Sequence, residues 1–182
     1  MSDLEYEQQV PVQQVVSGEA EAPSSTLESL RRKREALTEN RTVDLAVPGY
    51  DKEPPALYIR YNLLQGPEID RITRKVMRET KDRWDRQVLS SIDAMIAACE
   101  GLYIDWDDGT GRQPLTLNGD HILNFGPELA QALGIQDAGS ARAIVREVFG
   151  NNDVALAQHN IQLSRWMGNT ASEVDEELLG NL

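Results

Sequence analysis

Between Pro67 and Gly101 the chain contains neither Gly nor Pro, and Ile69, Ile72, Val76, Thr80, Trp84, Val88, Ile92 and Ile96 recur there at three- and four-residue spacing. That period marks one face of a helix and predicts a single amphipathic helix of about 30 residues, ~45 Å long. Both ends carry matching signals. Gly66-Pro67-Glu68 puts a ring with pre-set φ and an acid into the first turn, and Gly101 is a natural C-terminal stop. A rod this long in a 182-residue chain needs the remaining elements to cover its apolar stripe.

The elements before it switch period. Val43, Leu45 and Val47 alternate with Thr42, Asp44 and Ala46, and Leu57, Ile59, Tyr61 and Leu63 alternate with Tyr58, Arg60, Asn62 and Leu64. Both are half-buried strand patterns. Val47-Pro48-Gly49-Tyr50 suits a type II turn, and Pro54-Pro55 keeps the rest of the connection out of helix. The two runs predict a hairpin with a long loop. After the helix, Leu102–Trp106 and Pro114–Leu117 read as two short strands around the turn formers Asp107-Asp108-Gly109-Thr110-Gly111.

The remainder is helical in short pieces: Pro127 to Leu133, Ser140 to Phe149, Asp153 to Met167 and Ser172 to Leu179, closed by Gly134, Gly150, Gly168 and Gly180. Thr170-Ala171-Ser172-Glu173 fits a capping box for the last of them. The fold class expected is therefore α+β, mainly α, with an N-terminal β-hairpin, one long amphipathic helix, a small second hairpin and a C-terminal cluster of short helices. The organisation expected is a disordered acidic tail over 1–25, a region over 26–101 opening with a short helix capped at Ser25 or Thr26, and a region over 102–182.

Charge narrows the partners. The chain carries 30 Asp and Glu against 18 Lys and Arg, a formal charge of −12. Residues 1–25 hold five acids and no base, and residues 100–182 hold 13 acids against four bases, so the acidity sits at the two ends. This excess argues against duplex DNA and against an anionic membrane surface, both of which reward clustered cations. Arg31-Arg32-Lys33-Arg34 is the one basic run, and Arg71, Arg74, Lys75, Arg78, Lys81, Arg83 and Arg86 are interleaved with Glu68, Asp70, Glu79, Asp82 and Asp85. That interleaving reads as an ion-pair-laced solvent face, with contact to an acidic protein as the sharper alternative. No apolar run reaches bilayer length, and the N-terminus lacks the basic start and apolar core of a secretion signal. A soluble, cytosolic protein is expected.

Residues with chemical potential are few. Cys99 is the single cysteine and sits among apolar residues, which predicts a small core side chain. His121 follows the turn formers Asn118-Gly119-Asp120, and His159 has no His, Cys or acid three or four residues on. Asp105-Trp106-Asp107-Asp108-Gly109 opens like a calcium loop, but the sixth and twelfth places are Thr110 and Thr116 instead of Gly and Glu. No Gly-x-Ser-x-Gly and no glycine-rich phosphate fingerprint occurs. These features predict no catalytic residue, no cofactor and no metal.

The C-terminal third is where a partner is expected. On the helix from Asp153, Val154, Ala157 and Ile161 mark one face, and Leu156, Leu163 and Met167 a second with Trp166 between them. A helix apolar on two sides is either centrally buried or covered by a partner. The last helix sets Val174, Leu178 and Leu179 against Glu173, Asp175, Glu176 and Glu177. The candidate partner-binding residues are thus Val154, Ile161, Leu163, Trp166, Met167, Val174, Leu178 and Leu179.

Ala143-Ile144-Val145-Arg146-Glu147-Val148-Phe149-Gly150, Asp153-Val154, Leu163-Ser164-Arg165-Trp166-Met167 and the acidic end Val174-Asp175-Glu176-Glu177-Leu178-Leu179-Gly180 resemble the tail assembly chaperones of long-tailed bacteriophages. The resemblance covers residues 41–182, including the hairpin opening at Val47-Pro48-Gly49. It implies a non-enzymatic protein of the host bacterial cytoplasm, absent from the mature virion. Such a protein binds the long helical tape-measure protein and helps recruit tail-tube subunits, and the family usually has a longer product made by a programmed ribosomal frameshift. Two other readings stay open: a structural phage protein (a head–tail connector or tail-completion component) forming a homo-oligomer through the long helix, and a bacterial adaptor protein.

Overall fold

The computed structural model describes residues 27–28, 31, 41–136 and 139–179, with side chains described as far as Thr170. The expected acidic tail over 1–25 lies outside the described residues. Of the short helix expected after it, Leu27, Glu28 and Arg31 are described, and they are helical. From residue 41 on, the described chain belongs to one compact unit, Leu37–Leu182.

The chain is α+β, with a hairpin at its start as its alternation demanded. β1 (Thr42–Ala46) and β2 (Ala56–Asn62) are antiparallel, with Val43 opposite Tyr61 and Leu45 opposite Ile59. The backbone N–H of Tyr50 donates to the Val47 carbonyl at 3.0 Å, closing the turn expected there. Leu57, Ile59 and Tyr61 point into the core. On the other face Asp44 stands directly opposite Arg60, whose guanidinium donates twice to it at 2.7 and 2.9 Å. Arg112 adds a third bond to Asp44 at 3.1 Å, and the two arginines lie over the rings of Tyr103 and Tyr58.

The expected long helix is two helices. α1 (Gly66–Glu79) ends at Thr80, which is extended at φ −143° and ψ 149°, and α2 (Arg83–Ala98) starts afresh from Asp82. The interruption is built from capping groups. The Asp82 carboxylate accepts from the Asp85 N–H at 2.9 Å, and the Asp82 N–H donates to Thr80 Oγ1 at 3.2 Å. Arg86 Nε donates to the Thr80 carbonyl at 2.9 Å, replacing the helical partner that oxygen has lost.

Gly101 is not the stop of that helix. α2 gives way at Ala98 to β3 (Cys99–Asp105), which pairs antiparallel with β2 through a register shift at Arg60/Tyr61. A Cβ on Gly101 would meet His121 Cε1 at 2.9 Å, so the absent side chain is the space the imidazole occupies. The boundary expected at 101/102 therefore runs through a strand, and the second hairpin extends the first sheet. β4 (Gln113–Pro114) pairs with β3, giving the order β1-β2-β3-β4. β5 (Thr116–Leu117) and β6 (Asp120–His121) form a separate two-stranded ribbon around Asn118-Gly119.

α3 (Pro127–Ala132) and α4 (Ala141–Val148) follow the expected short helices. Gly150, at φ +62°, closes α4. Its N–H donates to the Glu147 carbonyl at 2.9 Å and the Asn151 N–H to the Arg146 carbonyl at 2.7 Å, the paired bonds of a Schellman stop. The last two helices expected from the sequence are one. α5 runs unbroken over Asp153–Leu179, so Gly168 and the capping box at Thr170–Glu173 lie inside it. Gly168 does not adopt the positive φ that a glycine stop requires.

The helices lie on the apolar face of the sheet. Ile92 and Met95 of α2 share one buried cluster with Ile59 and Leu102 of the sheet, Val145 of α4 and Leu156 and Leu163 of α5. Asp93 of α2 is buried beside them at 7% exposure, and three helices meet on its carboxylate. Arg142 of α4 donates to it twice, at 2.6 and 2.5 Å, and Lys75 of α1 donates at 3.0 Å. Arg142 also reaches Glu79 at 2.7 Å. Burial pushes the Asp93 carboxyl up, but hydrogen bonds from Arg142 and then Lys75 outweigh it and hold the group below the usual 3.8.

Asp93→Asn is expected to cost about 1–2 kcal/mol in urea unfolding at neutral pH, because it removes the charge that holds Arg142 and Lys75, whose own side chains reach solvent. A depressed folded-state value means that this stabilisation is complete above about pH 4 and is lost below it, as pH falls toward and through the lowered folded-state value. The variant should therefore lose less stability than the parent between pH 7 and pH 3, and parallel losses would contradict the assignment.

Candidate functional site

Both histidines and the cysteine make contacts with the fold around them. His159 of α5 is buried, with Nε2 2.9 Å from the Tyr61 hydroxyl and its ring edge-on to Tyr61 and Phe149. Burial lowers its pKa to about 4, against a smaller upward pull from the Ala46 backbone, and Nδ1 has no hydrogen-bond partner within bonding geometry. At neutral pH it is an uncharged core side chain. Burial pushes the Cys99 thiol up to about 12, which removes the thiolate a nucleophile requires. His121 Nε2 lies 2.9 Å from the Leu102 carbonyl, and its ring is edge-on to Tyr103. In the 105–111 loop the Asp105 and Asp108 carboxylates accept from Asp107 and Thr110, two residues on in each case. Among the described residues no group of three or more His, Cys, Asp or Glu could hold a metal ion. No helix there is long and apolar enough to cross a membrane.

Among the surface clefts, two flank α1. The first lies between α1, α2 and α5, with a volume of about 240 Å³. Leu64, Ile69, Ile72, Leu163 and Met167 supply its apolar wall, and Thr73, Gln87, Ser90, Asn160 and Ser164 supply a rim with no charge. Ile69 is 45% exposed although it lines this cleft. Ile69, Thr73 and Met77 stand four residues apart on α1, so the row continues past the cleft to an exposed Met77. Across from it Trp84, Gln87, Ser91 and Ala94 make the matching row on α2, and Trp84 is exposed too. The feature is a neutral apolar groove with two large exposed side chains on the rows that extend it.

The second cleft lies between α1, α2 and the start of α4, with a volume of about 700 Å³. Ile72, Ile96, Ala97 and Ala141 form its floor, and Arg71, Lys75 and Arg142 its rim, with the Asp93 carboxylate between the last two. Arg71, Arg74, Lys75 and Arg78 stand at i, i+3, i+4 and i+7, so α1 segregates its cations onto one face. The ion pairs expected on this helix are present in part: Lys75 pairs with Asp93, Glu79 with Arg142 and Arg74 with Asp70. Arg74 makes only an exposed 3.7 Å contact with Asp70, and Arg71 and Arg78 have no partner among the described residues. The helical spacing of the four cations was the available signal, hidden by reading charge order along the chain instead of around the helix.

The expected partner-binding residues are spread over different environments. Leu163 is buried, and together with Met167 it lines the neutral cleft. Trp166 packs half-buried against the core. Val154 and Ile161 stand exposed, seven residues apart on α5. The side chains of Val174, Leu178 and Leu179 lie outside those described. The two apolar faces of this helix thus divide into a core face, centred on Leu156, His159 and Leu163, and an open one.

His159 binds no proton in the fold above about pH 4, whereas the unfolded chain takes one up near 6.5, so folding stability should fall as pH drops through that window. The expected loss is roughly 3 kcal/mol in denaturant titrations, and it should vanish in His159→Phe. A resonance assigned to the His159 imidazole by its absence in His159→Phe, and titrating near 6.5, would rule this out.

Comparison of the chain with protein-family models, with curated proteins and with solved structures returns no match.

Proposed function

We propose that this protein is a tail assembly chaperone of a long-tailed bacteriophage, acting by stoichiometric binding of apolar helical segments of the tape-measure protein. The observation that carries the reading is the neutral cleft between α1, α2 and α5, with Met77 and Trp84 exposed on the rows that extend it. An apolar wall with an uncharged polar rim accepts an amphipathic helix through its i, i+3, i+4 and i+7 side chains. A rim of Ser, Thr, Asn and Gln places no sign requirement on the residues flanking that stripe. That suits a client whose many helical segments differ in charge. Large exposed apolar side chains at such a site have their free-energy gain waiting in the complex. The excess of acid over base keeps chaperone and complex in solution. The resemblance in the α4–α5 sequence supports the same role, and recruitment of tail-tube subunits in the host bacterial cytoplasm belongs to it.

A holdase of this kind should keep the tape-measure protein soluble when the two are co-expressed. Ile69→Lys puts a charge on the wall and Ser164→Arg fills the cleft. Each should leave the unfolding free energy within about 1 kcal/mol of the parent, as expected at exposed positions. Each should also return most of the client to the insoluble fraction. A client equally insoluble with and without the parent protein would defeat the proposal. Recovery of the chain from purified particles at subunit stoichiometry would favour the structural-component reading instead.

A further inference from the structure

We propose that α1 is a hinged lid over a longer groove, and that it lifts off α2 when a client helix binds. What enters follows the chaperone reading; whether α1 opens does not depend on it. The need for opening is one of size. A helix recognised through its i, i+3, i+4 and i+7 side chains presents a stripe about 10 Å long. The neutral cleft, at about 240 Å³, is smaller than the roughly 300–1,000 Å³ of ordinary ligand sites. Closed, it is too small for that stripe.

Ile72 lines both clefts, so α1 is the partition between them. With α1 lifted, Ala94, Leu163 and Met167 on one side become continuous with Ile96, Ala97 and Ala141 on the other. The result is an apolar groove along α2, between α5 and the start of α4. Its walls stand without α1: α2 packs extensively on α4 and on α5, whereas among the described residues α1 packs extensively on α2 alone.

α1 itself is lightly held. Of its 14 residues only Ile72 and Val76 are buried, and of these two Ile72 alone belongs to the main core cluster. Non-helical joints bound the helix at Leu63–Gln65 and Thr80–Asp82, and hinges are commonly a few such element-terminal residues. Lys75 and Glu79 stand on one flank of the Ile72/Val76 row, and Ile69 and Thr73 on the other. The first flank carries the ties, Lys75 to Asp93 at 3.0 Å and Glu79 to Arg142 at 2.7 Å. The second faces the neutral cleft without an ion pair among the described residues. The ties are the latch, and the neutral side is where the lid parts.

Native-state hydrogen exchange of the full chain reads this directly. Amides of α1 from Ile72 to Glu79 should exchange together, at least tenfold faster than those around Ile92 of α2 and Leu163 of α5. Lys75→Met with Glu79→Gln cuts both ties and should raise α1 exchange roughly tenfold, with parental helix content by circular dichroism. In the parent, raising salt from about 0.05 to about 0.5 M should act in the same direction, since both ties are partly exposed. The double variant should also bind a labelled amphipathic peptide, with leucine at i, i+3, i+4 and i+7 and uncharged flanks, roughly tenfold more tightly. Apparent affinity rises with the fraction of chains that are open. α1 amides that exchange only in step with α2 and α5 would overturn the proposal. So would α1 exchange indifferent to both salt and the variant, or faster opening with no gain in peptide affinity. A tape-measure protein that stays insoluble while the peptide gains affinity would defeat the choice of client and support the lid. One kept soluble by a chain whose α1 does not open would overturn the lid and leave the chaperone reading standing.

Discussion

Asp93 carries a negative charge into the helical layer, and the placement of α1 and α4 follows from neutralising it. Its neighbours Ile92 and Met95 are fully buried, so the carboxylate cannot turn to water without pulling α2 out of the core. Its partners reach solvent, Lys75 more than Arg142, and losing one leaves a desolvated carboxylate short of a donor, at a cost of about 1–3 kcal/mol. Arg142 arrives from 49 residues down the chain and Lys75 from 18 residues before it. Once Arg142 is committed to Asp93, its remaining donor reaches Glu79 and fixes the end of α1 against the start of α4. Both clefts are consequences. One is the gap that Lys75 and Arg142 rim above Asp93, and the other is the space left on the opposite side of an α1 held in this position.

Strand pairing was legible because its period is simple. Leu57, Ile59 and Tyr61 alternate with Tyr58, Arg60 and Asn62, and that alternation sets which face is buried. The Asp44–Arg60 pair was not read, since opposition across strands depends on register and the long 47–55 connection leaves register free. The interrupted helix was legible in principle. Residues spaced by four advance about 40° around a helix at each step, so the row Ile72, Val76, Thr80, Trp84, Val88 and Ile92 would wind about 200° around one straight rod. No single flat layer can bury such a row. The chain resolves this at Thr80–Asp82 by restarting the helix with Asp82 as its cap, and Trp84, counted as part of the apolar row, is left exposed.

The opposite error occurred at Gly168. Gly134 and Gly150 end helices because the chain there turns left-handed and finds donors for the last carbonyls. At Gly168 the core-facing row continues through Leu163 and Met167 to the buried Thr170, and holding that row outweighs the roughly 1 kcal/mol by which glycine disfavours a helix. The same tertiary logic decided the candidate site. Sequence put Val154 and Ile161 on one apolar face of α5 and Leu163 on another and offered all three to a partner, but only the sheet and α2 determine which side of α5 is core. Leu163 became wall, Val154 and Ile161 became surface, and the cleft-forming partners Ile69 and Gln87 came from helices whose packing angle no local pattern specifies.

The two clefts divide recognition by charge. Ile72 contributes to both, so they are separated by little more than the thickness of α1. What distinguishes them is charge: neutral hydroxyl and amide groups rim one, and the other holds Arg71, Lys75 and Arg142 around the Asp93 carboxylate. An uncharged apolar helix gains burial alone, which the neutral cleft and its exposed Met77 and Trp84 supply.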